Sequence, residues 1–140
     1  MTGICSNKPM GTDMDLETTR QGRLTRITFN RPDHGNGFTD GMVVALTQAL
    51  SEAPEYSDVV LLTAAGPDFC TGRLRGSTPP ATEAYARRNQ YDLTFDCYSA
   101  LRRCPIPVVS AIQGRCAGFG AALAALSDGS FAAASATFSI

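Results

Sequence analysis

Backbone amides, more than any reactive side chain, are the groups in this 140-residue sequence with the means to do chemistry. In the run Cys104-Pro-Ile-Pro-Val-Val-Ser-Ala-Ile-Gln-Gly-Arg-Cys-Ala-Gly-Phe-Gly-Ala-Ala-Leu123, an apolar strand leads into a glycine turn that opens a helix of small residues. Amides at a helix start have no intrahelical partner and carry the positive end of the dipole. They suit a substrate oxygen that becomes negative during reaction. A lone Gly-x-Gly also joins ordinary α/β layers, so by itself the segment is not specific.

A second segment of the same kind lies upstream, where Val59-Val-Leu-Leu-Thr63 is followed by Ala-Ala-Gly-Pro-Asp-Phe-Cys-Thr-Gly-Arg-Leu74. Ile27-Thr-Phe-Asn-Arg-Pro-Asp-His-Gly-Asn36 precedes both. These three segments, in this order and covering most of Leu24 to Phe138, resemble the N-terminal part of the crotonase, or enoyl-CoA hydratase/isomerase, superfamily. The resemblance implies an α/β fold, a superhelix of ββα units truncated on its C-terminal side, rather than a doubly wound sheet.

In that family a thioester carbonyl sits between two backbone N–H groups, and both stabilise the enolate that forms. Matched position by position, the first donor is Arg73, after Gly72, and the second is Phe119, between Gly118 and Gly120. Phe119 stands where the family carries glycine, so its ring must find room or narrow the acyl pocket, and a positive φ there would add strain. The resemblance places the coenzyme A contacts at His34, Gly35, Asn36 and Gly37, at Thr71 to Arg75 including Leu74, and at Gly118. Arg73 and Arg75 would add charge for phosphates, although an arginine pair is also what a solvated surface carries. No cofactor is implied beyond the coenzyme A of the substrate. A homo-oligomer, a trimer or dimer of trimers, is implied for a full-length chain.

Hydration of an enoyl double bond in this family uses two glutamates around one water. The first belongs three residues after the second donor, where this sequence has Ala122. The second would follow the strand that begins Phe138-Ser139, two positions past Ile140. Hydration is therefore expected to be impaired, and single-base chemistry such as isomerisation or hydrolysis is favoured. The alternative is a catalytically silent protein that binds acyl-CoA or serves as a structural subunit. Tyr91, Asp92, Asp96 and Tyr98 lie on the helix that borders the acyl pocket in relatives, but no motif selects one of them. His34 is expected on a surface turn. Asp128 is expected to order the turn after its helix. Ile140 falls inside an apolar strand, which suggests part of a longer fold with an unfinished core.

Composition narrows the classes further. A hydrophobic content of 44% supports a conventional core, and a net charge of −1 with mixed signs offers no field for nucleic acid or an acidic membrane. A small-molecule partner is expected instead. Five cysteines, without Cys-x-x-Cys or a histidine cluster, suit buried thiols of a reduced cytoplasmic protein, and no metal site is expected. Gln113, Arg115, Asp128 and several glycines interrupt the Ala- and Val-rich stretch from Leu101 to Phe138, so it is not expected to span a membrane, and the N-terminus lacks a signal-peptide core.

The elements that must hold these turns follow from period and punctuation. Residues 1–15 form an aperiodic tail, and residues 16–140 form the crotonase-like core. Leu16–Gln21 and Leu24–Phe29 flank Gly22-Arg23 as a hairpin. Thr39 caps a helix carrying Met42, Leu46, Ala49, Leu50 and Ala53, and Pro54 stops it. Val59–Thr63 is expected as a strand buried on both faces. After a break at Ser77-Thr-Pro-Pro80, the stripe Tyr85, Tyr91, Phe95, Tyr98 and Leu101 is expected to pack into the core. Pro107–Ile112 is a strand, Gly118–Leu126 a helix, and Phe131–Ala134 and Thr137–Ile140 are short strands.

Overall fold

The computed structural model of the protein describes residues 14–74 and 84–140. Strands β1 (Leu16–Gln21) and β2 (Leu24–Phe29) form the expected antiparallel hairpin, with Gln21 opposite Leu24. Strands β3 (Val59–Ala64), β4 (Val108–Ile112) and β6 (Gly129–Ala132) then add in parallel, giving a sheet ordered β1-β2-β3-β4-β6. Three helices make the crossovers: α1 (Asp40–Glu52), α2 (Ala84–Arg103) and α3 (Phe119–Leu126).

Each large-sheet strand from β2 onward is followed by a short extended piece in a second layer. These pieces are Phe38, the 70–73 segment, β5 (Arg115–Ala117) and β7 (Thr137–Ser139). Phe38 bridges Arg73, Cys70 bridges Cys116, and β5 pairs with β7, all in parallel. Strand, short strand, helix thus repeats as a spiral.

Local chemistry explains the helices. The Thr39 hydroxyl accepts from the Met42 N–H at 3.2 Å, and after Glu52 the chain tightens into a 3-10 turn that contains Pro54. The inner face of α1 is Met42, Val43, Leu46 and Leu50. These pack with Ile27, Phe29, Val60, Leu62, Val108 and Leu123, all fully buried.

Four expectations are corrected. Strand β3 is not buried on both faces: Val60 and Leu62 are enclosed, whereas Val59 and Leu61 are half-buried, as a helix covers only one side. The α2 stripe is not core throughout. Tyr91 is 56% exposed and Phe95 60%, and among the described side chains of this helix the enclosed ones are Cys97 and Leu101. The final strand candidates shift, because β6 starts at Gly129 and Ala133 lies beyond it. Residues 115–117, expected within the glycine turn, form strand β5. Residues 1–13 of the expected tail, the break at 77–80, Arg75 and the Tyr85 side chain lie outside the described residues. No helix among the described residues is long and apolar enough to cross a membrane.

Candidate active site at two paired glycine turns

The two glycine turns meet through the single bridge between Cys70 and Cys116. Cys70 N–H donates to the Arg115 carbonyl at 3.2 Å, and Ala117 N–H donates to the Cys70 carbonyl at 2.9 Å. Gly72 and Gly118 each follow their cysteine by two residues, and Arg73 and Phe119 follow by three. The register therefore sets turn against turn. A Cβ on Gly118 would stand 3.8 Å from Gly72 Cα, and one on Gly72 would stand 3.9 Å from the Ala117 carbonyl oxygen. Both glycines have positive φ, +130° and +53°.

The direction of each amide follows from the use of its carbonyl. Gly72 C=O accepts from Phe38 N–H at 2.8 Å across a trans peptide, so the Arg73 N–H points away from Phe38. Gly118 C=O accepts from Ala122 N–H at 3.0 Å within α3, so the Phe119 N–H points out of the helix start. No backbone carbonyl among the described residues accepts from either amide. Gly120 has a different task. A Cβ there would lie 2.5 Å from the Cys70 carbonyl oxygen, so its lack of a side chain lets α3 approach the first turn.

Phe119 finds its room in the core. Its ring is 4% exposed and lies between Phe38, with centroids 4.8 Å apart, and Tyr98, stacked at 5.6 Å. The position has no positive φ, so the residue carries no backbone strain of that kind. The Arg73 side chain is turned to α1: it donates to the Phe38 carbonyl at 3.3 Å and pairs with Asp40. Its charge thus has a partner within the fold. Ala122 sits half-buried in the first turn of α3 and offers only a methyl group.

Among the residues matched to coenzyme A contacts, Gly35 and Gly37 pack on Thr71 and Leu74. Thr71 donates to the Gly35 carbonyl twice, from its N–H at 3.0 Å and from Oγ1 at 3.1 Å. A Cβ on Gly37 would come within 2.9 Å of the Leu74 side chain, so the 34–37 turn packs directly on the 71–74 turn. His34 is exposed and lines an open cleft of about 430 Å³ with Asp15, Asn30, Arg31, Pro32 and Asp33. That cleft shares no lining residue with the glycine turns. Tyr91, Asp92 and Asp96 are exposed on α2, whereas Tyr98 is half-buried against Phe119. Asp128 accepts from Val108 N–H at 2.8 Å and anchors the turn after α3, as expected.

The supports of the site were not legible in the sequence. Asn36 is fully buried with φ +54°, and its Oδ1 accepts from Arg31 N–H. Its Nδ2 donates to the Ala65 and Asp68 carbonyls at 2.8 and 2.7 Å. Asp68 in turn accepts from the Arg115 backbone at 2.9 Å and from its guanidinium at 3.1 and 2.8 Å. These hydrogen bonds hold the 34–37 turn, the 65–68 loop and β5 as one unit.

Burial holds the nearby thiols protonated. Cys70 is pushed up to about 12, partly offset by backbone hydrogen bonding at Gly72, and Cys97 and Cys116 are pushed up to about 11. The Tyr98 phenol is also raised, by burial first and then by Cys97. At neutral pH these groups are therefore neutral. Among the described residues no group of three or more His, Cys, Asp or Glu side chains could hold a metal ion.

Comparison with known proteins agrees with this arrangement. The enoyl-CoA hydratase/isomerase family model matches residues 19–140. A probable enoyl-CoA hydratase of Rhodobacter capsulatus is 36% identical over 118 residues, which is 82% of this chain and 44% of that protein. The 1,2-epoxyphenylacetyl-CoA isomerase of Escherichia coli is 34% identical over 88% of this chain and 48% of its own length. The crystal structure of an enoyl-CoA hydratase/carnithine racemase from Magnetospirillum magneticum superimposes with a TM-score of 0.82 at 28% identity, covering 91% of this chain and 49% of that one. The chain thus spans about half the length of the relatives it matches. With its parallel spiral and paired glycine turns, it belongs to the enoyl-CoA hydratase/isomerase family of the crotonase superfamily.

Proposed function

We propose that the protein binds an acyl-CoA thioester and stabilises its enolate between the Arg73 and Phe119 amides. The observation that carries this reading is the in-register Cys70–Cys116 bridge, beyond which both N–H groups are left without a carbonyl partner among the described residues. Backbone donors of this kind act whatever side chain is present, and losing one costs about 3 kcal/mol, roughly a hundredfold in rate. His34, Gly35, Gly37, Thr71, Leu74, Arg75 and Gly118 form the coenzyme A side. The reading needs no cofactor beyond the coenzyme A of the substrate, and a homo-oligomer in the cytoplasm belongs to it.

Ala122 cannot take or give a proton, so the reaction is isomerisation or hydrolysis through a single base rather than hydration. A second reading, a silent acyl-CoA-binding or structural subunit, is favoured by the same alanine. Assays with crotonyl-CoA and a 3-enoyl-CoA, followed by ultraviolet absorbance, separate them. Double-bond migration without rapid hydration is the expected result. Rapid hydration would refute the role given to Ala122, and binding without turnover would favour the silent subunit.

A further inference from the structure

We infer that Asp40 is a positioning residue for the first donor: its carboxylate, at the start of α1, holds the Arg73 side chain and thereby steadies the peptide that carries the Arg73 N–H. This role rests on the acyl-CoA reading above and brings in a side chain outside both glycine turns. The backbone around Arg73 is already gripped from one side. Phe38 N–H donates to the Gly72 carbonyl at 2.8 Å, and Leu74 N–H donates to the Phe38 carbonyl at 2.9 Å, so Phe38 brackets Arg73 in a parallel bridge. Arg73 takes no part in these bonds with its own N–H, which is left for the opposite side.

One freedom remains at the residue before it. Gly72 has φ +130° and no side chain to pack, so the peptide between Gly72 and Arg73 can rock unless its Arg73 end is held. The guanidinium supplies that hold at two points. Its Nη1 donates at 3.3 Å to the same Phe38 carbonyl that accepts from Leu74 N–H, and its Nη2 pairs with Asp40 Oδ1. A planar fork fixed at both nitrogens leaves the Arg73 Cα little room to shift. Asp40 is a firm anchor, because it is the first residue of α1, directly after the Thr39 cap, and Met42 and Val43 are buried in the same turn. The pair thus braces the glycine turn against a packed helix. Because Asp40 is exposed, water and salt weaken the brace, and its effect is several-fold rather than absolute.

Acetoacetyl-CoA is a suitable probe, because its enolate absorbs in the near ultraviolet and reports the charge that the site stabilises. The wild-type protein should bind it and raise the enolate band. Asp40→Asn keeps the shape and removes the charge; affinity for acetoacetyl-CoA should weaken about fivefold and the band per bound ligand should shrink, while affinity for free coenzyme A, which has no acyl oxygen, stays unchanged. Asp40→Glu, which can still reach the guanidinium, should recover most of the band. Arg73→Ala removes the brace from its other end and should give the same loss, to which Asp40→Asn adds nothing in the double variant. If Asp40→Asn matches the wild type, if it weakens free coenzyme A equally, or if the two losses add, Asp40 is only a surface partner of Arg73 and the inference fails. Absence of both binding and enolate band in the wild type would instead overturn the acyl-CoA reading itself, and the role of Asp40 with it.

Discussion

Cys70 and Cys116 face each other across a parallel bridge of one residue pair, and three residues beyond each lies a backbone amide with no carbonyl partner among the described residues. The pairing decides that Gly72 meets Gly118, which is the geometry the proposal of two N–H donors from different turns of the spiral requires. Neither turn alone has that property.

Removal of one amide should therefore be sufficient to disable the site. Arg73→Pro deletes the N–H itself, and the affinity for acetoacetyl-CoA should fall about a hundredfold relative to Arg73→Ala, which keeps the amide. Titration calorimetry on both variants checks this. Equal affinities would mean that the Arg73 amide does not touch the ligand.

The thiols beneath the turns should be inert. With Cys70 near 12 and Cys97 and Cys116 near 11, iodoacetamide at pH 8 should alkylate half-buried Cys104 before these three, as read by mass spectrometry of the native protein. The sign of the pH effect follows. Above about pH 9 the unfolded chain loses these protons while the native state keeps them, so stability should fall as pH rises through that range.

Asp68 should contribute acid sensitivity of the opposite sense. The Arg115 guanidinium and then its backbone N–H hold the carboxyl below its ordinary value, so the native state prefers it ionised. The stabilisation is present above the unfolded value of about 3.9 and is lost as pH falls through the lower native value. Arg115 is largely exposed, so screening keeps the effect modest. Asp68→Asn should cost about 1–2 kcal/mol at neutral pH and flatten the stability profile below about pH 4, measured by urea unfolding.

Two glycines with nearly the same φ should respond very differently to alanine. At Gly114, with φ +61°, a Cβ would stand 1.9 Å from the Pro67 carbonyl oxygen, whereas at Gly22, with φ +58°, it meets nothing within 4 Å. Gly22→Ala should cost about 1–2 kcal/mol, the price of the left-handed conformation. Gly114→Ala should cost well over that and displace β5 from the 67–68 loop. Thermal unfolding of the two variants makes the comparison.

What the sequence by itself determined was local. The hairpin around Gly22-Arg23, the Thr39 cap, and the apolar runs of β3 and β4 follow from side-chain period and from residues with few allowed backbone conformations. The three ordered motifs also carried the family, because the residues that make close backbone approaches sit inside them. Tertiary structure alone decided the rest. It buried Asn36 under three hydrogen bonds, stacked Phe119 on Tyr98 and left Tyr91 and Phe95 facing outward. It also made β5 a strand, since three residues become extended only when β7 and Cys70 lie beside them. A strand this short has no period of its own to read, and the partners that define it are distant in the chain. The meeting of the two turns is a property of register between layers, and register is fixed by packing.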